Sequence, residues 1–265
     1  MLLLGLPLLI ILVIIASWYL AEKAIQPVYK SYQEMQQFSS DVAHELRTPL
    51  SAIKATIDSV ILNNLTLQDS QETLKIIHRQ NERLINLVKD LLILTRLDSV
   101  LENNYQISKT KINLLDLIND LVEELSCLAL ENNVNLRQEI KTNNDIFIFG
   151  NEEQIYRLLT NLTINAIENN QKNGQVIIFL ETDKQEVIIK VIDTGIGINN
   201  TEQKLIFNRF YRINKARNRD KGGSGLGLSI VRSIVLNHHG KIAVESRENE
   251  GSTFIIYLPK IIEKS

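Results

Sequence analysis

Phe38-Ser39-Ser40-Asp41-Val42-Ala43-His44-Glu45-Leu46-Arg47-Thr48-Pro49-Leu50 sets a histidine beside an acid, with a threonine four residues after the histidine. Around it Met35, Phe38, Val42, Leu46, Leu50, Ile53, Ile57 and Val60/Ile61 recur at steps of three and four. That is the period of a helix with one buried stripe. His44 falls between Val42 and Leu46, so its ring leans toward water, and Thr48 lies one turn along the same face. Pro49 sits inside the pattern. A bend is expected there, because proline removes a backbone donor and clashes with the preceding turn. An exposed imidazole beside a carboxylate suits a nucleophile with an adjacent base: Glu45 can accept a ring proton and raise the nucleophilicity of the other nitrogen. The plainer reading of a His-Glu pair is a surface histidine on a charged helix.

The helix is expected to run to about Leu62. Residues 63–68 read as a turn, and Asp69 with Glu72 resembles a capping box at the next helix start. Leu74, Ile77, Leu84, Val88, Leu91, Leu92 and Leu94 continue a helical stripe to about Asp98. Two helices with apolar seams predict an antiparallel hairpin. A hairpin alone buries too little, so two copies are expected to pair as a homodimer through a four-helix bundle. The alternative cover for the stripe is the following domain. His78 has no acidic neighbour and reads as a surface residue.

On the N-terminal side, residues 2–20 carry no charge and are dominated by Leu and Ile. A run of about 20 apolar residues spans a bilayer as a helix. Trp18 and Tyr19 stand at its end, where aromatic residues favour the interface, and Lys23 and Lys30 follow. Cations on that side predict a cytoplasmic C-terminal region, or a stromal one in a plastid. A cleaved signal peptide is the rival reading, but no positive segment precedes the apolar run. Almost nothing precedes Leu2, so no extracytoplasmic sensor domain is expected. Sensing then falls to the membrane segment or a partner, unless the start is internal to a longer protein. Residues 21–37 read as a short helical connector interrupted at Pro27.

The chain has 265 residues, a formal net charge of -2 and 44% hydrophobic residues. That allows an anchor and one or two domains with a real core, and it provides no electrostatic footprint for nucleic acid. The single cysteine, Cys127, excludes an internal disulfide and a cysteine-rich metal site; it lies in an apolar helical run and is expected to pack there.

After a polar linker at residues 100–109 the texture changes. Strands are expected at 111–114, 134–140, 146–149, 176–180, 187–191, 242–245 and 253–258, with helices at 115–130, 151–168 and 226–237. Strands with interspersed, non-alternating helices predict an α+β two-layer sandwich, helices on one face of a mixed sheet.

Four clusters in this region can hold a nucleotide. Asn161 and Asn165 stand four apart on one helix face, and amide oxygens suit magnesium, which bridges substrate phosphates. Asp193-Thr194-Gly195-Ile196-Gly197-Ile198 follows a strand; its carboxylate can accept from an adenine amino group, and Gly195 and Gly197 would let the backbone approach the base. Phe207-Asn208-Arg209-Phe210-Tyr211-Arg212 puts two aromatics in a long polar segment, either as a lid over ligand or as a hydrophobic staple under the loop. Gly222-Gly223-Ser224-Gly225-Leu226-Gly227-Leu228-Ser229 opens a helix whose first amides can meet phosphate. Its spacing fits neither the Walker pattern nor the dinucleotide fingerprint.

His44 to Leu50 resembles the phosphoacceptor box of sensor histidine kinases at every position. The four later clusters, in order, resemble the N, G1, F and G2 boxes of that family's ATP-binding domain, a Bergerat-type fold, and Gly251-Ser252-Thr253-Phe254 resembles its closing strand. The resemblance covers about Phe38 to Leu258. It implies a multi-domain chain: a transmembrane anchor at 1–20, a connector at 21–37, an all-α phosphoacceptor and dimerisation hairpin at 38–99, and an ATP-binding domain at 110–262. It implies that His44 takes a phosphoryl group from ATP with Glu45 as base, and that Thr48 orients water when a partner's phosphoaspartate is hydrolysed. ATP and Mg2+ are implied, with Asn161 and Asn165 on the metal side and Asp193 on adenine. Gly223, Gly225, Leu226 and Gly227 would line the phosphates, and Phe207, Phe210 and Thr253 complete the implied site. The implied partner is the receiver domain of a response regulator.

The chain departs from the pattern at Glu168 and Asn169, where a basic residue and an aromatic usually stand, and at His239, where a second glycine is common. Glu168 pointing inward would oppose the triphosphate. It motivates an alternative, a kinase-impaired scaffold or phosphatase that binds ATP. A third reading keeps only the ATP fold, as in ATP-driven clamp proteins; the intact His44 box argues against it. His238 and His239 read as the polar end of their helix and not as a metal site.

Overall fold

The computed structural model describes residues 2–62, 67–103, 109–141, 145–183, 185–213 and 223–261. The chain forms two compact units, Met1–Asn81 and Glu82–Ser265.

The first unit is helical: α1 (Leu2–Leu62) and the beginning of α2 (Leu67–Asn103). α1 runs on through Pro27, so the connector is not interrupted there. A proline loses one backbone bond, and the long helix around it tolerates that loss. α2 begins two residues before Asp69, which therefore sits in its first turn and not at the cap. A carboxylate there still opposes the helix dipole favourably. The rest of the expected turn lies outside the described residues. α2 holds no glycine or proline and continues past Asp98, so the linker begins later than expected.

Much of the predicted stripe stays exposed within one copy. Met35, Leu50, Ile57, Val60 and Ile61 on α1 are exposed, as are Leu74, Val88 and Leu92 on α2. Helices this apolar on one side normally hide that side against something. α1 also contains a stretch long and apolar enough to cross a membrane, none of it buried in the molecule.

The second unit takes in the remainder of α2 and an α+β sandwich. Its elements are β1 (Thr110–Asn113), α3 (Leu114–Glu131), β2 (Asn135–Ile140), β3 (Phe147–Gly150), α4 (Glu152–Glu168), β4 (Gln175–Thr182), β5 (Glu186–Asp193), α5 (Gly227–Asn237), β6 (Lys241–Arg247) and β7 (Gly251–Pro259). A five-stranded sheet has the order β2-β4-β5-β7-β6, and β1 pairs with β3 apart from it. β2 runs parallel to β4 and the other neighbours are antiparallel, so the sheet is mixed as expected. The parallel pair needs a crossover, and α4 lies within it.

Alternation decides which side faces the helices. Val187, Ile189, Val191 and Asp193 on β5 lie opposite Leu258, Ile256, Phe254 and Ser252 on β7. All eight are buried, and they share one face of the sheet. α3 buries Leu114, Leu117, Ile118, Leu121, Leu125 and Ala129 against the same layer. Cys127 falls between those positions on the far side and is exposed, so it does not pack. α4 starts where the Asn151 side chain accepts from the Gln154 amide at 3.0 Å, with Glu152 and Glu153 in the first turn.

His238 is not the exposed end of its helix; it is 4% exposed. Its Nδ1 donates to the Ile234 carbonyl at 2.8 Å, and its Nε2 accepts from the Asn151 amide at 3.1 Å. Both nitrogens are used, which leaves none for a metal and requires the neutral ring. Burial holds the imidazole below its ordinary value of 6.5, with smaller repulsion from Lys109 and His239. The unfolded chain therefore takes a proton before the native one does. Stability tied to this ring is complete above 6.5 and is lost as pH falls from there toward the native value. His238→Ala is expected to cost about 2–4 kcal/mol and to flatten that pH dependence, read from urea unfolding between neutral and mildly acid pH.

Candidate nucleotide and phosphoacceptor sites

On α1, His44 is exposed as expected, Glu45 is half-buried and Thr48 is exposed. The Thr48 hydroxyl donates to the His44 carbonyl at 3.2 Å, back along the helix. Helical spacing thus presents ring and hydroxyl together on the open side. His78 on α2 is also exposed.

In the second unit the four segments are joined by hydrogen bonds. Asp193, at the end of β5, is 8% exposed. Its Oδ1 accepts from the amides of Gly195 at 2.8 Å and Ser252 at 3.2 Å. Burial pushes its carboxyl above the ordinary 3.8, and the bonds from Gly195 and Ser252 pull the other way. With Oδ1 committed inside the fold, Oδ2 is the oxygen left to accept from a ligand.

The glycines beside it have a structural role within the protein. A side chain at Gly195 would put its Cβ 2.3 Å from the Asn169 carbonyl oxygen. At Gly197, where φ is +67°, the Cβ would meet the Arg247 carbonyl oxygen at 1.9 Å. These glycines admit other parts of the protein backbone, and so shape the loop.

Asn161 and Asn165 project from α4. The Asn161 amide nitrogen donates to the Gly227 carbonyl at 3.4 Å, which ties α4 to the start of α5 and leaves the amide oxygen over. The Asn165 oxygen accepts from the Asn169 amide at 2.9 Å. Among the described residues no cluster of three or more His, Cys, Asp or Glu side chains could hold a metal. Two neutral amide oxygens fit a hard cation that keeps most of its ligands from phosphate and water. Glu168 is half-buried in the last turn of α4.

The first amides of α5 have no partner inside the helix, so its N-terminus is suited to an anion. Leu226 is fully buried and anchors that end, while a Cβ on Gly223 would touch nothing within 4 Å. Gly225, at φ +72°, lies against Phe210, whose amide donates to the Gly225 carbonyl at 3.0 Å. Phe207 packs edge-on to Phe254 with ring centroids 6.4 Å apart. Phe207 is thus a staple under the segment, and both aromatics are half-buried.

Thr253 does not join this site. It lies opposite Ile192, one residue off the pair formed by Asp193 and Ser252, so alternation turns it to the other face of the sheet. Ser252 takes its place, and the adjacent Gly-Ser-Thr triplet could have signalled it only if the strand register were known.

Sequence reasoning also missed the polar contacts made by α2. Asp90 pairs with Arg157 on α4, and the Ser224 hydroxyl donates to its other oxygen at 3.1 Å. Both oxygens of Asp98 accept from one nitrogen of Arg209, Nη2, at 2.8 and 2.7 Å. Asn237 on α5 donates to the Leu97 carbonyl at 3.2 Å, and Leu94 and Leu97 are buried alongside. A charged side chain inside a helical pattern carries no local mark of a partner far along the chain.

Residues 150–262 match the family described as histidine kinase-, DNA gyrase B-, and HSP90-like ATPase, and residues 34–100 match the His Kinase A (phospho-acceptor) domain. The sensor histidine kinase RppB of Synechocystis sp. is 40% identical over 97% of this chain and 56% of its own length. The chain spans about half the length of the curated relatives it matches. A structure of histidine kinase ThkA in complex with response regulator protein TrrA aligns with TM-score 0.68 and 26% identity, over 89% of this chain and 65% of that one. The nucleotide-free catalytic domain of ThkA aligns with TM-score 0.52, over 58% of this chain and 97% of that one. With 32% identity across the whole of that domain, and the phosphoacceptor match on the helices before it, the chain belongs to the histidine kinase family.

Proposed function

We propose that this chain is a membrane-anchored sensor kinase that moves the γ-phosphoryl group of ATP to His44 and then to an aspartate of a response-regulator receiver domain. The observation that carries this reading is the exposed imidazole of His44, on the same chain as a nucleotide fold whose four segments are bonded to one another. One ring nitrogen of His44 attacks the γ-phosphorus, the bond to the β–γ bridging oxygen breaks, and ADP leaves. The proton on the other ring nitrogen passes to Glu45. Asp193 accepts from the adenine amino group, and the amides at the start of α5 meet the phosphates. Asn161 and Asn165 would hold Mg2+, which supplies neutralising charge to the phosphates when bound.

Transfer to the receiver domain breaks the N–P bond and forms an acyl phosphate, and the proton held by Glu45 returns to the ring, leaving neutral His44. Thr48 then serves the reverse, hydrolytic activity by orienting water. The exposed apolar positions of α1 and α2 suit a second copy of the chain, as a homodimer. The N-terminal stretch of α1 suits the anchor, with Lys23 and Lys30 holding the kinase region on the cytoplasmic side.

Incubating the purified chain with γ-labelled ATP and Mg2+ is expected to leave an acid-labile label on it. Adding a receiver domain is expected to remove that label to the receiver. Nucleotide binding without labelling, combined with dephosphorylation of a phosphorylated receiver, would favour the kinase-impaired alternative that Glu168 motivates.

A further inference from the structure

Asn169 is one of the positions where the sequence departs from its family resemblance, and in the structure its backbone N–H, its carbonyl and its side-chain nitrogen are engaged. Its amide caps α4 by donating to the carbonyls of Asn165 and Ile167. Its own carbonyl accepts from the Ile196 amide at 3.1 Å, inside the loop that follows Asp193. Its side-chain nitrogen donates to the Asn165 carbonyl and to Asn165 Oδ1, each at 2.9 Å.

The last of these bonds decides how the Asn165 amide is set. A carboxamide fits the same space in two orientations half a turn apart. Only one of them offers an oxygen to the Asn169 NH2 group. The reverse would set NH2 against NH2 and lose the bond. An amide oxygen has two lone pairs, and Asn169 uses one, so the other stays available to a cation. The same residue is locked to the Asp193 loop, since its carbonyl oxygen lies where a Gly195 side chain would begin.

We propose that Asn169 is a positioning residue for the divalent cation: it holds the Asn165 oxygen toward the ligand and ties that setting to the loop that takes the nucleoside. The proposal rests on reading Asn165 as a cation ligand. A residue that orients a metal ligand is typically worth about 10–100-fold in metal affinity.

The test uses the full chain in detergent and a fluorescent ATP analogue, with Kd measured in Mg2+ and again in excess chelator. Asn169→Leu keeps the volume and removes the donor. The expected result is a loss of about ten-fold in the gain that Mg2+ confers, with chelator affinity as in the parent chain. Mn2+ binding followed by electron paramagnetic resonance is expected to weaken in parallel. Asn165→Ala, run beside it, is expected to lose the Mg2+ gain as well. If Asn165→Ala loses the gain and Asn169→Leu keeps it, the positioning role is overturned and the ligand reading stands. If Asn165→Ala keeps the gain, the ligand reading fails and the proposal with it. Equal losses with and without metal in Asn169→Leu overturn the proposal by reducing Asn169 to a cap. Should Asn169→Leu fail to melt as a folded protein, Asn169→Ser replaces it with the same split expected.

Discussion

His44→Gln is expected to abolish labelling from γ-labelled ATP, a fall of ~10⁴-fold or more. Glutamine is close to histidine in reach and is a good helix former. The position is exposed, so the substitution disturbs no packing. What it removes is the nitrogen lone pair that forms the bond to phosphorus; a carboxamide nitrogen is delocalised and does not attack. ATP affinity, measured on the same variant, is expected to stay at the parent value, which separates loss of the acceptor from loss of the fold. Undiminished labelling would take the acceptor role away from His44.

Asp193→Asn is expected to weaken ATP by roughly 10–100-fold while leaving the domain folded. The carboxamide keeps the shape and still has one oxygen for the amides of Gly195 and Ser252, which hold Oδ1 in the parent. That oxygen faces inward, so the new NH2 faces outward, where a donor of the adenine would meet another donor. Calorimetric titration with ATP, alongside a thermal melt, checks both halves. The parent protein has a related pH dependence. Burial raises the Asp193 carboxyl, so the native state takes up a proton before an ordinary carboxylate would. Protonation of Asp193 on acidification is therefore expected to weaken ATP binding without itself destabilising the domain, because a raised carboxyl makes the native state relatively more stable as the pH falls through its value.

The local elements were largely legible, because each rests on short-range patterning. Short apolar runs marked β5 and β7, helical patterning marked α3 and α4, and the run from His44 to Leu50 marked the acceptor helix. What escaped depends on register and on distant partners. Whether Ser252 or Thr253 faces Asp193 is a question of strand register, and a shift of one residue reverses the answer. His238 looks polar in sequence, yet it closes a bond to an amide 87 residues away and is buried for that reason. Cys127 sits among apolar neighbours, but the helix turns it outward. The glycines at 195 and 197 were legible as places of close approach, and only the fold identifies the protein backbone that lies against them. The carboxylates of Asp90 and Asp98 gave no sign of their partners at all.

α2 has a mechanical property that follows from its composition. From Leu67 to Asn103 it has neither glycine nor proline, so nothing along it serves as a joint. Near its far end Asp90 grips Ser224 and Arg157, and Asp98 grips Arg209. Within the second unit, a turn of this stretch of α2 about its own axis pulls on Ser224, Arg157 and Arg209 together, or breaks their bonds to it.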